Sequence, residues 1–307
     1  MLYLLEADVR ELLPIADCLG LMREVFHRLA SGEAINQPRR RLILPTRSVL
    51  HYMAGSDGRY YGAKIYATHP KRGAHFLFLL YRAENGEPLA IVEANALGQI
   101  RTGAASGFAT QLLARPGSRT LAIIGSGFQA QTQLEALRTA MPSIERVHVW
   151  SRSAEKREAF ARAAGVEAAA TAEAAVRRAD IVVTATNSGD PVLESDWVAP
   201  GAHINAMGSN QARRRELPAD LVRRAGLIAV DSLEQSRMES GDLLLAFDRE
   251  DDWSRVVELQ EAAAGRVGRK DAAQITVFKS NGLAVEDVIA AGLVYERAIA
   301  AGRGRSV

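Results

Sequence analysis

The chain has 307 residues, 48% hydrophobic and 24% charged, the balance of a globular protein with enough length for two cores. A formal net charge of +2 with scattered basic residues argues against nucleic acid or an anionic membrane as partner. The single cysteine, Cys18, excludes a disulfide framework and a cysteine-rich metal site, and no metal is expected.

Met1 to Leu5 is apolar, but Glu6 and Asp8 follow without a basic leader or a small-residue cleavage site, so no signal peptide is expected. Apolar runs elsewhere stop short of the ~18 residues a membrane-spanning helix needs, which makes a cytoplasmic location the expectation. Asp8 to Ala30 has helical periodicity, with Pro14 at the first turn of the longer helix and Ser31-Gly32 as its stop. Cys18 falls among Ile15, Leu19, Met22 and Phe26 and reads as core.

From Arg39 to Val92 the texture becomes short runs of Leu, Ile, Val, Tyr and Phe, broken by Gly55-Ser56-Asp57-Gly58 and Glu84-Asn85-Gly86-Glu87; these read as strands and hairpins. Within the Arg39-Arg40-Arg41 run, strand alternation puts Arg39 and Arg41 on one face and Arg40 on the other, so at most two enter one pocket. Lys64 lies among Tyr60, Tyr61, Ile65 and Tyr66, a setting that can desolvate its ammonium group and make it a proton donor as well as an anion partner. Arg101 is a further candidate for a carboxylate.

Ile100 to Leu113 returns to helical spacing, and Ala114-Arg115-Pro116-Gly117-Ser118 punctuates the chain. The boundary is placed there: residues 1–117, completed by a C-terminal helix over 280–307, form an α+β substrate-binding and dimerisation domain. Residues 118–279 alternate apolar strands (120–124, 146–150, 181–185, 202–206, 227–230) with alanine-rich helices (130–140, 154–164). That alternation predicts an α/β fold, a Rossmann-type doubly wound parallel sheet covered on both faces. The last helical pattern runs from about Lys279 to Ala300.

The strand Leu121-Ala122-Ile123-Ile124 leads directly into Gly125-Ser126-Gly127-Phe128-Gln129-Ala130. In a strand–turn–helix setting this is a dinucleotide turn. Gly125 permits the tight bend, Gly127 lets backbone approach a pyrophosphate, Ala130 allows close helix-on-strand packing, and the helix N-terminus offers unpaired N–H groups to phosphate. At the end of the second strand, where an acid would bind the ribose of NAD, the chain reads Ser151-Arg152-Ser153; these suit a 2′-phosphate, so NADP(H) is favoured while NAD(H) stays possible. The competing reading makes Arg152 a solvated helix-start residue and Ser153 an N-cap.

Over nearly its whole length the chain resembles the ornithine cyclodeaminase and mu-crystallin family. The matching stretches are Gln37-Pro38-Arg39-Arg40-Arg41, Met53, Gly62-Ala63-Lys64, Arg101-Thr102-Gly103-Ala104-Ala105-Ser106, the cofactor turn, residues 200–208, Arg215-Glu216-Leu217, and Thr276-Val277-Phe278-Lys279-Ser280 with Gly282, Ala284, Glu286 and Asp287. The resemblance implies a homodimer built through the first domain and chemistry at the α-carbon of an amino or imino acid. It implies that Lys64 and Arg101 bind the substrate carboxylate with Arg39 or Arg41, beside Met53. It also implies that Thr184-Ala185-Thr186 passes beneath the dinucleotide, and that Thr102, Met207-Gly208 and Lys279-Ser280 lie along the cofactor.

The departures bear on the reaction. Cyclodeaminating members carry an aspartate two residues beyond the glycine equivalent to Gly208, and here that position is Asn210, which orients but does not exchange a proton. Ala54 and Gly98 replace a common proline and threonine. His203, alone on an apolar strand, reads as a core residue. NADPH-dependent reduction of a cyclic imino acid, or the reverse amino acid dehydrogenation, is therefore favoured over ornithine cyclodeamination and over a non-catalytic NADPH-binding protein.

Overall fold

The computed structural model describes residues 1–307, which divide into two compact units: Met1–Thr102 with Gly282–Val307, and Gly103–Asn281. The first begins with β1 (Leu2–Leu4), α1 (Glu6–Leu12) and α2 (Ile15–Ser31). The periodic stretch after Asp8 is thus two helices, because Pro14 lacks the N–H needed to continue one and instead caps the next. Gly32, at φ 81°, closes α2 in the left-handed conformation.

Then come β2 (Ile35–Ile43), β3 (Val49–Ser56), β4 (Tyr60–His69), β5 (Arg72–Arg82), β6 (Pro88–Glu93) and α3 (Asn95–Leu113). In β4, Tyr60, Gly62, Lys64 and Tyr66 are buried while Tyr61 and Ala67 are exposed, the alternation expected of a sheet with one covered face. The opposite face carries Leu42, Leu50, Tyr52 and Leu77 open to solvent, brought together by the pairs Leu42↔Leu50, Tyr52↔Ile65 and Ile65↔Leu77.

The units divide within α3, between Thr102 and Gly103, whereas the boundary expected from the sequence follows that helix at Ala114–Ser118. From Gly103 onward α3 packs in the second unit, where a Cβ on Gly103 would stand 2.6 Å from the Thr132 carbonyl. The amide of Asn205 donates to Thr110 Oγ1 at 2.9 Å.

The second unit then runs β7 (Thr120–Ile124), α4 (Phe128–Ala140), β8 (Arg146–Trp150), α5 (Ala154–Ala164), β9 (Glu167–Ala168), α6 (Ala172–Val176), β10 (Ile181–Thr184), β11 (His203–Ala206), α7 (Ala219–Arg224), β12 (Leu227–Val230), α8 (Leu233–Glu239), α9 (Gly241–Leu244), β13 (Val256–Glu258), α10 (Leu259–Ala263) and β14 (Thr276–Lys279). Every strand pair is parallel, in the order β13-β12-β14-β11-β10-β7-β8-β9. Ala122, Ile124, Val182 and Ile204 enter one core, and Leu121, Ile123, Ile181 and Val183 the other. Burial on both faces is why β7 and β10 are apolar without alternation.

The Rossmann-type parallel sheet expected from the sequence is present, and three of its strands were not legible. β9 and β13 are too short to register, and Thr276–Lys279, a family-matching stretch given no secondary structure ahead of the helical pattern from about Lys279, is an internal strand between β11 and β12. That helix, α11 (Ala284–Ala300), begins later, packs on β3, β4 and α2, and is followed by β15 (Arg305–Ser306). The first sheet then has the order β15-β1-β6-β5-β4-β3-β2. No helix is long and apolar enough to cross a membrane.

Candidate functional site

β8 and β10 flank β7 on opposite sides, so the sheet reverses its winding between β7 and β10. Doubly wound sheets bind ligands outside the carboxyl ends of their strands at such a point. The loops here enclose a cleft of about 1360 Å³ lined by Gly125, Ser126, Gly127, Phe128 and Gln129, by Trp150 to Ser153, and by Ala185, Thr186, Met207 and Gly208.

The two glycines of the turn have different reasons. Gly125 has φ 124°, and a Cβ there would sit 2.3 Å from the Ala185 carbonyl oxygen, so neither backbone nor space admits another residue. Around Gly127 a Cβ would meet nothing within 4 Å. Its missing side chain therefore leaves open space, directly where α4 begins with no side-chain cap on its N–H groups. Ala130 is fully buried at the helix–strand contact.

At the other end of the turn, the Ser126 hydroxyl donates to Ser151 Oγ at 2.8 Å, and Ser153 caps α5 by accepting from the Lys156 N–H at 3.3 Å. Ser153 thus has the structural task that the competing reading gave it. Arg152 lines the cleft together with Lys156, a cation not singled out from the sequence. Of the two acids lining the cleft, Glu173 and Glu194, Glu173 is ion-paired with Arg177 at 2.6 Å.

Beneath the cleft lies a buried ionic network that sequence reasoning missed. Glu216 Oε1 accepts from the Thr186 N–H and hydroxyl, both at 2.7 Å, and its Oε2 accepts from the Thr184 hydroxyl at 2.9 Å and the Gly208 N–H at 2.7 Å. One carboxylate therefore ties together the loops leaving β10 and β11. Burial pushes its pKa up, against the hydrogen bonds from Thr186. Asp242 holds the Glu216 and Leu217 N–H groups at 2.7 and 2.9 Å and pairs with Lys279 at 3.1 Å. An acid in an Arg-Glu-Leu triplet looks like any surface acid in sequence; only its neighbours in space distinguish it.

Several residues expected along the cofactor therefore spend their side chains elsewhere. The Lys279 ammonium is fully buried against Asp242 and the carbonyls of Ala206 and Ser209. Ser280 donates to Asp231 at 3.0 Å, Thr184 to Glu216, and Thr102 to the Gly98 carbonyl at 2.6 Å. Asn210 is half-buried in the loop after β11, and His203 is a buried core residue bonded to Thr276 at 2.9 Å, its pKa driven down to about 3 chiefly by burial.

In the other unit, the substrate-binding candidates converge. Met53 pairs with Lys64 across β3 and β4, and a bulge between Gln37 and Arg40 brings Arg39 to the same place, where its guanidinium lies 3.7 Å from Met53 Sδ. Arg39 is buried, Arg40 exposed and Arg41 half-buried opposite His51, as strand alternation required. Lys64 donates to Asp287 Oδ1 at 2.9 Å, Arg101 Nε donates to the same oxygen at 3.2 Å, and Arg101 Nη1 donates to Glu286 Oε2 at 2.7 Å. A Cβ on Gly98 would stand 2.6 Å from Lys64 Nζ, so the glycine that replaces the family's threonine makes room for the ammonium.

The comparisons with known proteins agree with one another. The model of the ornithine cyclodeaminase/mu-crystallin family matches residues 1–302. Mouse ketimine reductase mu-crystallin is 40% identical over 220 residues, 71% of this chain and 68% of the relative. A delta(1)-pyrroline-2-carboxylate reductase of Bacillus cereus (strain ZK / E33L) is 39% identical over 249 residues, 77% of this chain and 75% of the relative. Among solved structures, Thermococcus litoralis delta(1)-pyrroline-2-carboxylate reductase in complex with NADH and L-proline superposes with a TM-score of 0.92 at 32% identity, covering all of both chains. An archaeal alanine dehydrogenase dimer with bound NAD gives 0.90 at 32% identity, covering 100% of this chain and 98% of the other.

Proposed function

The chain belongs to the ornithine cyclodeaminase/mu-crystallin family, and from that premise we propose that it is an NAD(P)H-dependent reductase of α-imino acids, with NADPH preferred and a cyclic imino acid as substrate. The observation that carries the reading is the pairing of intact binding groups with an altered acid. Lys64 and Arg101 are buried cations suited to a carboxylate, the glycine turn and its cleft suit a dinucleotide, and Asn210 stands where cyclodeamination calls for a carboxylate. The named relatives support it, since two are imino acid reductases.

When bound, the nicotinamide supplies the hydride. The protein's part is placement and charge: Lys64 and Arg101, with Arg39, hold the carboxylate and keep the imine carbon in one position, while the α4 N-terminus receives the pyrophosphate. With the cofactor bound, the site would suit a substrate whose imine nitrogen is already protonated, so that hydride supplied to the C=N carbon gives the amine; the reverse would be an amino acid dehydrogenation. Arg152 and Lys156 would hold the 2′-phosphate of NADPH. The active molecule is a homodimer through the apolar face of β2–β5 that carries Leu42, Leu50, Tyr52 and Leu77, a patch of the kind soluble monomers rarely expose.

The test is oxidation of NADPH by purified protein given pyrroline-2-carboxylate or piperideine-2-carboxylate. Release of ammonia from ornithine without net change in NADPH would overturn the reductase reading. Light scattering decides the dimer: a monomer by mass, or a dimer unaffected by Tyr52→Glu, would reject that face.

A further inference from the structure

Lys64 is a lysine under opposing influences. Burial acts most strongly and lowers its pKa; Asp287 raises it, and Arg101 and Arg39 lower it further. The groups that meet it come from every side of its strand: Asp287 from α11, Arg101 from α3, Arg39 from β2, and the Phe76 ring of β5 at 5.4 Å from Nζ. Among these, Asp287 is the one negative charge in contact with the ammonium.

Its geometry is specific. Asp287 is fully buried, Oδ1 takes both Lys64 at 2.9 Å and Arg101 at 3.2 Å, and Oδ2 is buried without a hydrogen-bond partner. The carboxylate therefore directs all its bonding at the two cations. Neighbouring Glu286 takes the other arm of Arg101 at 2.7 Å, and Gly282, at φ 81°, leaves no Cβ to strike that guanidinium, which would come within 2.8 Å.

We propose that Asp287 is a positioning residue for the reaction: through Oδ1 it keeps the Lys64 ammonium protonated and aimed beside Arg101, so that the pair meets the substrate carboxylate as a ready cation. This rests on the reading of Lys64 as a substrate-binding group. A lysine buried beside two arginines without a counter-charge loses its proton, and a neutral amine neither binds a carboxylate nor serves as an acid. Asp287 prevents that.

The sign follows directly. Removing an acid that raises the lysine's pKa lowers it, so in Asp287→Asn the Lys64 titration should fall by roughly 1–3 pH units, the range for an opposite charge in contact. The alkaline limb of kcat/KM should fall with it, and Asp287→Glu should restore part of the shift. The lysine midpoint is read in ¹⁵N-lysine-labelled protein by NMR, with Lys64→Arg to assign the resonance, so the measurement does not depend on turnover. Affinity for NADPH shows that each variant is folded. An unmoved Lys64 midpoint in folded Asp287→Asn overturns the proposal, whatever happens to stability or rate. Failure of the underlying reading has a separate signature: Lys64→Ala would keep its turnover.

Discussion

Replacing Glu216 by glutamine tests the network beneath the cofactor cleft. Each carboxylate oxygen accepts one backbone N–H, from Thr186 or Gly208, and one threonine hydroxyl. Either orientation of the glutamine amide turns its NH₂ toward one of those backbone N–H groups. The hydroxyl on that side can rotate to accept, but the backbone N–H cannot. The loss is one charge-assisted hydrogen bond plus one buried donor left unmet, about 2–5 kcal/mol together. Relief of the carboxylate's burial cost, visible in its raised pKa, returns part of this, leaving about 1–3 kcal/mol. Urea denaturation gives that difference, and NADPH titration should show affinity falling several-fold, because the loosened Thr186 and Gly208 line the cleft. Stability within about 0.5 kcal/mol of wild type, the scatter of surface substitutions, together with unchanged affinity, would refute the clamp.

Three other outcomes follow from the same structure. Gly125→Ala should abolish tight NADPH binding and lower the melting temperature, since its Cβ would sit 2.3 Å from the Ala185 carbonyl at φ 124°; a variant that binds normally would mean the turn is not built as described. Arg152→Ala should lower the ratio of NADPH to NADH affinity by roughly tenfold or more, and an unchanged ratio removes it from the 2′-phosphate site. His203, neutral in the fold with its pKa near 3, takes up its proton only on unfolding. The unfolded state then binds more protons below about pH 6.5, so stability falls as pH falls through that value, by about 2 kcal/mol from this residue at pH 5. Chemical denaturation at pH 5 and pH 7.5 should show His203→Gln missing that part of the acid loss; equal losses would contradict a buried neutral imidazole.

The sequence by itself determined the features that are written locally. Apolar runs without alternation gave β7 and β10 as strands of a two-faced sheet, and Gly125 to Ala130 after such a strand gave the dinucleotide turn, because bend, backbone approach and helix start all concern adjacent residues. Alternation placed Arg39 and Arg41 on one face, and Asn210 was legible as a missing acid once the family pattern was laid on the chain. Strand β14 was missed because Thr276–Lys279 has only Val277 and Phe278 as apolar residues, too short a run to show a period of its own.

What only the tertiary structure decided are the partners of buried charges. In the sequence Glu216 and Asp287 carry no role of their own, and Lys64 and Lys279 read as substrate and cofactor groups, yet Lys279 turns inward to Asp242, Glu216 gathers two loops, and Asp287 meets a lysine 223 positions earlier in the chain. A buried charge is tolerated only beside its counter-charge, and which counter-charge it finds is set by contacts between distant segments. Periodicity carries no record of those contacts, so the cofactor turn could be read from the sequence while the groups that hold the loops and the lysine in working order could not.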